Sequence, residues 1–274
     1  MVWHGPVEAV LIFYDAPADG AAPFNYVEER PEGQPQRNYE MTTMVVVAIS
    51  DIRGQEDQIS LDRDAFRVLR GINSQTTYET FNSDEEIRQV YYPEVENLLL
   101  QQVPGAHTII LFDHTIRRVE SNAARQPVNQ AHANQTTRSA ELRLRRHIAD
   151  QGKEADELLR GRYRIINVWR PINGTVESSP LAFASATTTS DVDFVAIEQR
   201  YPDFNGEIMG VKYNPAMEWK YCSGLENNER VLLKCSDTQA GVVSRVAHSA
   251  FVDPRTAVNA KGRESIEVRA LVFG

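Results

Sequence analysis

Residues 163–172 read YRIINVWRPI, a run in which β-branched and aromatic side chains dominate and a proline follows the last charged residue. Short apolar runs of this composition, closed by a proline, read as strands. The run has company. PLAFAS (180–185), EIMGVKYNP (207–215), EWKYCSG (218–224), RVLLKCSD (230–237), GVVSRVAHSAFVD (241–253) and ESIEVRALVF (264–273) follow it, separated by turn residues. That rhythm, which begins after Gly161, predicts a β-sandwich or barrel.

The N-terminal half adds strands and flanking helices. AVLIF (9–13) reads as a first short strand, and residues 15–40, rich in Pro, Gly and charge, as an irregular arm. Regular structure resumes at TTMVVVAISD (42–51), and AHTIILFDHTIRR (106–118) reads as a long strand entered from the Pro104-Gly105 turn. Between them, SDEEIRQVYYPEVENLLLQQV (83–103) opens with Ser83 as N-cap and acids in the first turn, with apolar residues at helical spacing. Pro93 is expected to break or kink that helix. A second helix is expected from about Thr136 to Leu159. Its RLRRH cluster (143–147) lies among Glu141, Asp150, Glu154, Asp156 and Glu157, so it reads as a solvated, charge-paired face rather than a phosphate site. The expected architecture is mainly β with flanking helices, in one domain over residues 1–274.

Composition removes several classes of function. No apolar run approaches the roughly 20 residues needed to cross a bilayer, and MVWHGPVEAVLIFYDAP lacks the basic start and small-residue cleavage site of a secretory signal. A cytosolic protein is expected. A formal charge of −9 opposes long anionic partners such as nucleic acid. Cys222 and Cys235 are the only cysteines, too few for a disulfide framework or a thiolate metal cage. The Asn134 and Asn173 sequons then have no glycosylating compartment. Oligomeric state is open, a homodimer included.

VNQAHANQTTRSA (128–140) raises the question of chemistry, because His132 stands two residues before Asn134. A non-haem iron(II) oxygenase uses two imidazoles and a carboxylate on one face of the metal. In sequence that is His-x-Asp or His-x-Glu, a distant His, and then an Arg to pair with a keto-acid carboxylate. This chain offers His132-x-Asn134, then His248, then Arg263 fifteen residues on. With 6 histidines in 274 residues, such a spacing alone is weak.

Longer blocks carry more weight. DIRGQEDQISLDRDAF, VYYPEVENLL, ILFDHTIRR, RYRIINVWRPINGTVESSPLAF, VKYNP, HSAFVDP and RESIEVRALVF resemble, in order over about residues 45–273, the AsaB-like and CmcJ-like hydroxylase/desaturase family of secondary metabolism. The resemblance implies the double-stranded β-helix, or jelly roll, of the iron(II)- and 2-oxoglutarate-dependent oxygenases. It further implies His132 and His248 at metal-ligand positions and Arg263 as co-substrate clamp, with Ser265 completing an Arg-x-Ser pair. One departure stands out: the resembling pattern has His-x-Asp, and here position 134 is Asn.

Asparagine offers a cation a dipole in place of a full charge. Two readings follow. In the preferred one, iron chemistry has been abandoned and no cofactor is required. His132, His248 and Arg263, with Asn134 beside them, then use acid–base and oxyanion-holding chemistry for a non-oxidative step. Dehydration to a quinone methide, isomerisation or pericyclic closure such as a hetero-Diels-Alder addition would suit, with orientation lowering the barrier. In the alternative, Asn134 or water completes the metal site, and iron(II) and 2-oxoglutarate support hydroxylation or desaturation. Halogenation fits less well, since Asn134 partly fills the halide position, and a catalytically dead scaffold is the third option. The substrate in either case is a hydrophobic polyketide or terpenoid. Its candidate contacts are Arg170, Lys212, Tyr213, Trp219, His114 and Arg269. Arg269 shares strand parity with Arg263 and is the reserve clamp, while Arg170 and His114 also suit structural hydrogen bonding. Loops 15–40, 71–84 and 185–206 are expected to shape the entrance.

Overall fold

Side-chain alternation sorts the strands into two layers. The computed structural model describes residues 2–119, 127–149 and 155–274. One layer is a nine-stranded sheet ordered Val7–Asp15 (β1), Glu40–Asp51 (β3), Trp219–Tyr221 (β11), Leu181–Ala184 (β8), His248–Ala250 (β13), His132–Ala133 (β6), Asn205–Val211 (β10), Phe194–Arg200 (β9) and Phe24–Tyr26 (β2). The other is a five-stranded sheet ordered Phe66–Leu69 (β4), Arg230–Asp237 (β12), Tyr163–Pro171 (β7), Glu264–Phe273 (β14) and Thr108–Arg118 (β5). All its pairings are antiparallel. The two sheets face each other as the double-stranded β-helix that the sequence predicts.

Strand β7 explains how the layers hold together, because successive residues point to opposite faces. Ile166 and Val168 face outward, where they join Ile266, Val268, Ala270 and Val272 of β14 under Tyr91, Val95, Leu98 and Leu99. Trp169 faces inward, into a cluster with Phe66, Phe183, Val231 and Leu233. Within that cluster Phe66 and Phe183, one from each sheet, stack with ring centroids 4.5 Å apart. A strand buried on both faces shows no hydrophobic alternation in its sequence, and YRIINVWRP has none.

The outer helix forms much as expected, with one difference at its proline. Ser83 caps it by accepting a hydrogen bond from the Glu86 N–H. The chain then makes a π-helical turn over Ile87–Tyr91 and continues as an α-helix over Tyr92–Gln102, with Pro93 in its first turn. Pro93 brings no N–H to the continuous helix, and the wide π-helical turn before it leaves room for the ring. The helix is therefore not broken at Pro93.

Three other expectations change in detail. The first strand runs over Val7–Asp15 rather than residues 9–13. The arm is stitched to the sheet edge by β2, which pairs in parallel with β9. The second helix is seen as Thr137–Ala149 and Ala155–Leu158; residues 150–154, with Asp150 and Glu154, lie outside the described residues. Its arginines do more than pair with acids: Arg143 lies over the Phe112 ring and Arg146 over Phe204, at 5.2 and 5.4 Å from the centroids. No described helix is long and apolar enough to cross a membrane.

A buried charge cluster ties β7 to β12. Lys234 is fully buried, and its Nζ donates to Asp237 at 2.6 Å and Asp62 at 2.8 Å. Arg162 donates to the same two carboxylates. Burial pushes the Asp237 carboxyl up, yet hydrogen bonds from Arg162 and Lys234 win and hold it below the ordinary value. Asp237→Asn leaves Lys234 and Arg162 with the half-exposed Asp62 as their remaining carboxylate, so it is expected to cost about 1.5–3 kcal/mol in urea denaturation at pH 7. A carboxyl held low in the folded state stabilises above its unfolded pKa, and that contribution disappears as pH falls through the folded value. The wild-type chain should therefore lose stability more steeply than Asp237→Asn below about pH 4. Equal unfolding midpoints for the two proteins would contradict this.

Candidate active site

His132 and His248 meet because β6 and β13 pair at a single position, His248 directly opposite His132. Cross-strand partners present their side chains on the same face, and the two imidazoles lie with centroids 4.4 Å apart and planes tilted by 50°. Asn134, two residues beyond His132, shares that face. All three line a narrow cavity between the sheets.

The ring nitrogens have distinct jobs. His132 Nδ1 sits 2.8 Å from the Gln130 carbonyl and His248 Nδ1 3.4 Å from the Val246 carbonyl. A carbonyl only accepts, so each Nδ1 carries the proton and each Nε2 is left with a lone pair. Burial pushes both imidazoles down, His132 to about 3 with help from His248, and His248 to about 4. Both are neutral at pH 7, the state a metal ion requires of its ligands.

Arg263 approaches from the start of β14 and is buried at 2% exposure. Its Nη1 donates to the Ser179 carbonyl, its guanidinium packs 5.5 Å from the Trp169 ring centroid, and its Nε is buried with no protein partner. Desolvation, and then the charge of Arg117, push its pKa down to about 9 against the opposing effect of Glu267. A buried cation with an orphaned N–H is what an anionic ligand would satisfy. Ser265 follows two residues on, on the same face of β14, and is also buried in the cavity wall.

The strands bring three further groups that the motif search missed. Thr115 and Arg117 come from β5 and Glu267 from β14. Glu267 is held by Arg269, whose Nη2 is 3.1 Å away. Parity was the available signal, since positions 263, 265 and 267 share a face, as do 115 and 117. Among the described residues no three His, Cys, Asp or Glu side chains are grouped to hold a metal ion. The Asn134 amide and the Glu267 carboxylate line the same cavity as the two histidines. Two neutral imidazoles, an amide oxygen and an orphaned guanidinium do fit a divalent metal with an anionic co-substrate, though with a weaker charge than a carboxylate would provide.

Other sequence-nominated residues lie elsewhere. Arg170 follows Trp169 and so faces the outer layer, where it donates to Ser74 and Thr76 at 3.1 Å each and covers the Phe81 and Tyr91 rings. His114, next to the inward Thr115, likewise faces out, with Nδ1 3.0 Å from the Tyr92 hydroxyl and Nε2 3.2 Å from Asp84. Lys212 and Tyr213 are exposed, and Tyr213 packs edge-on to Phe13. Trp219 is core, also against Phe13. Arg269 faces inward as its parity predicts but is occupied by Asp113, Thr115 and Glu267. The cavity itself measures about 30 Å³; a roomier cleft of about 300 Å³, lined by Arg138, Arg143, Arg146 and Phe204, lies outside the β-helix and holds none of these groups.

The oxidoreductase/YMDC permease-like domain family matches residues 11–273. A hydroxylase/desaturase of Penicillium oxalicum, poxK, is 35% identical over 89% of this chain and 83% of its own length. This chain belongs to the hydroxylase/desaturase family. Another relative, the alpha-ketoglutarate-dependent dioxygenase phiK from a fungal species, is 29% identical over 98% of this chain and 96% of its own. Among solved structures, the iron and alpha-ketoglutarate-dependent endoperoxidase NvfI superimposes with a TM-score of 0.87 at 27% identity, covering 98% of both chains. Membership makes this chain a tailoring enzyme of secondary metabolism on an oxygenase fold. The expectation that no cofactor is required is overturned: phiK, which matches nearly end to end, is an alpha-ketoglutarate-dependent dioxygenase, and NvfI depends on both iron and alpha-ketoglutarate.

If Asn134 is the weak donor of this set, Asn134→Asp should tighten cobalt(II) binding to the apo protein by about 10-fold or more. Titration followed by visible absorption measures this. Unchanged or weaker binding would show that position 134 does not face the ion.

Proposed function

We propose that this hydroxylase/desaturase family member is an iron(II)- and 2-oxoglutarate-dependent enzyme that oxidises a hydrophobic polyketide or terpenoid intermediate. The observation that carries the reading is the paired, neutral His132 and His248 sharing one cavity with the orphaned Nε of Arg263. Imidazoles pushed down to about 3 and 4 are weak bases near pH 7 and hold no proton to donate, so the pair is poorly suited to proton transfer.

In this proposal His132 Nε2, His248 Nε2 and Asn134 Oδ1 hold the metal, leaving open positions for co-substrate and oxygen. Arg263, with Ser265 beside it, pairs with the far carboxylate of 2-oxoglutarate and thereby gains the partner its Nε lacks. Iron and 2-oxoglutarate, when bound, supply the oxidising power for removing hydrogen from an unactivated carbon. The chain's own residues orient and exclude water. Gln130 and Val246 carbonyls fix the imidazole tautomers, and Trp169, Leu181, Val128 and Ala250 form apolar walls that suit a hydrophobic substrate. The cavity between the sheets is about 30 Å³, against roughly 10–15 Å³ needed to hold one water, so side chains must shift for larger ligands to enter.

Anaerobic addition of iron(II) and 2-oxoglutarate is expected to produce the weak metal-to-ligand absorption near the green end of the visible spectrum. Oxygen should then release succinate. Arg263→Leu should abolish the band at 2-oxoglutarate concentrations that saturate the wild type, while leaving cobalt(II) binding within about threefold, because the clamp acts on the anion rather than the metal. No band, no succinate and turnover that survives EDTA would instead assign the pocket to non-oxidative dehydration, isomerisation or ring closure.

A further inference from the structure

We propose that Cys235 is a positioning residue that aims the Asn134 amide oxygen at the metal side of the cavity. The inference rests on the metal-dependent reading above. An amide has two unlike ends, one donating and one accepting, and only the oxygen can ligate a cation. A carboxylate at the same place would present an oxygen whichever way it turned. Asparagine needs a neighbour to decide its orientation.

The structure supplies that neighbour from the opposite sheet. Asn134 Nδ2 lies 3.5 Å from Cys235 Sγ. Cys235, on β12, is buried among Leu144, Ile165 and Leu271, and its own S–H reaches the Leu233 carbonyl at 3.5 Å. With its proton directed at Leu233, the sulfur meets Asn134 as an acceptor and selects Nδ2. With Nδ2 engaged by the sulfur, Oδ1 is the end of the amide free to serve the cavity that Asn134 shares with His132 and His248. The flipped amide would set oxygen against sulfur lone pairs and turn N–H groups toward a cation, unfavourable at both ends. The bond is weak, as sulfur acceptors are, but burial shields it from competing water.

Cobalt(II) titration of the apo protein, without co-substrate or oxygen, separates this role from catalysis. Cys235→Val removes the acceptor at similar volume and is expected to weaken cobalt binding about 10-fold, the low end for a group that orients a ligand. Cys235→Ser keeps an acceptor and should stay within about threefold. In an Asn134→Asp background the valine substitution should change affinity less than about twofold, because either carboxylate oxygen ligates. Wild-type affinity in Cys235→Val, or an equal loss in both backgrounds, would overturn the inference and leave Cys235 a packing residue. If the valine variant melts early by circular dichroism, Cys235→Ala in the two backgrounds is judged by the same criteria. A wild-type chain that takes up no cobalt overturns the metal-dependent reading itself, and this inference with it.

Discussion

The candidate site depends on one register: a two-residue strand, β6, pairs with β13 so that His132 and His248 stand opposite one another. Nothing in either segment alone brings the rings together; they are over a hundred positions apart in the chain. Each strand is held by its other neighbour, β6 by β10 and β13 by β8. A slip of one residue in either strand would turn that strand's imidazole out of the cavity. The same alternation carries Asn134 to the cavity and leaves Ala133 in the core. The five-stranded sheet then closes over them, bringing Trp169, Arg263, Ser265 and Glu267 from strands whose far faces are packed under a helix.

Local chemistry made much of this legible in advance. Strand runs after Gly161 gave away the layered β architecture because β-branched residues and turn punctuation are local signals. The histidine pair, Arg263 and Ser265 were found because donor types and order along the chain survive without coordinates. Direction was harder. Arg170 and Trp169 are adjacent, and only the pairing of β7 with β14 and β12 decides which of them faces in. His114 was nominated although its neighbours Thr115 and Arg117 line the cavity, for the same reason. Lys212, Tyr213 and Trp219 are expected on strands whose alternate side chains face inward, but Lys212 and Tyr213 lie just past the end of β10 and are exposed, while Trp219 is in the core.

The cofactor question shows a different limit. From sequence, the uncharged side chain at position 134 argued for abandoned iron chemistry, since a formal charge is the easiest electrostatic quantity to read. The structure adds what composition cannot: both Nδ1 atoms are fixed by carbonyls, both imidazoles are held neutral, and the Nε of the buried Arg263 guanidinium lacks a partner. Arrangements of this kind penalise the empty state and favour a cation and an anion arriving together. Comparison with family members that use iron and alpha-ketoglutarate agrees with that balance.

Strand β7 has consequences of its own. With Ile166 and Val168 committed to the helix-covered face and Trp169 to the cavity, it has no solvent-facing position at which mutation would be silent. Its neighbour β14 is in nearly the same position. Diversification of such a scaffold toward new substrates would be channelled away from these central strands, into the rim loops and the side chains that roof the nine-stranded sheet. Catalytic centre and substrate selection can thus drift at separate rates within one molecule.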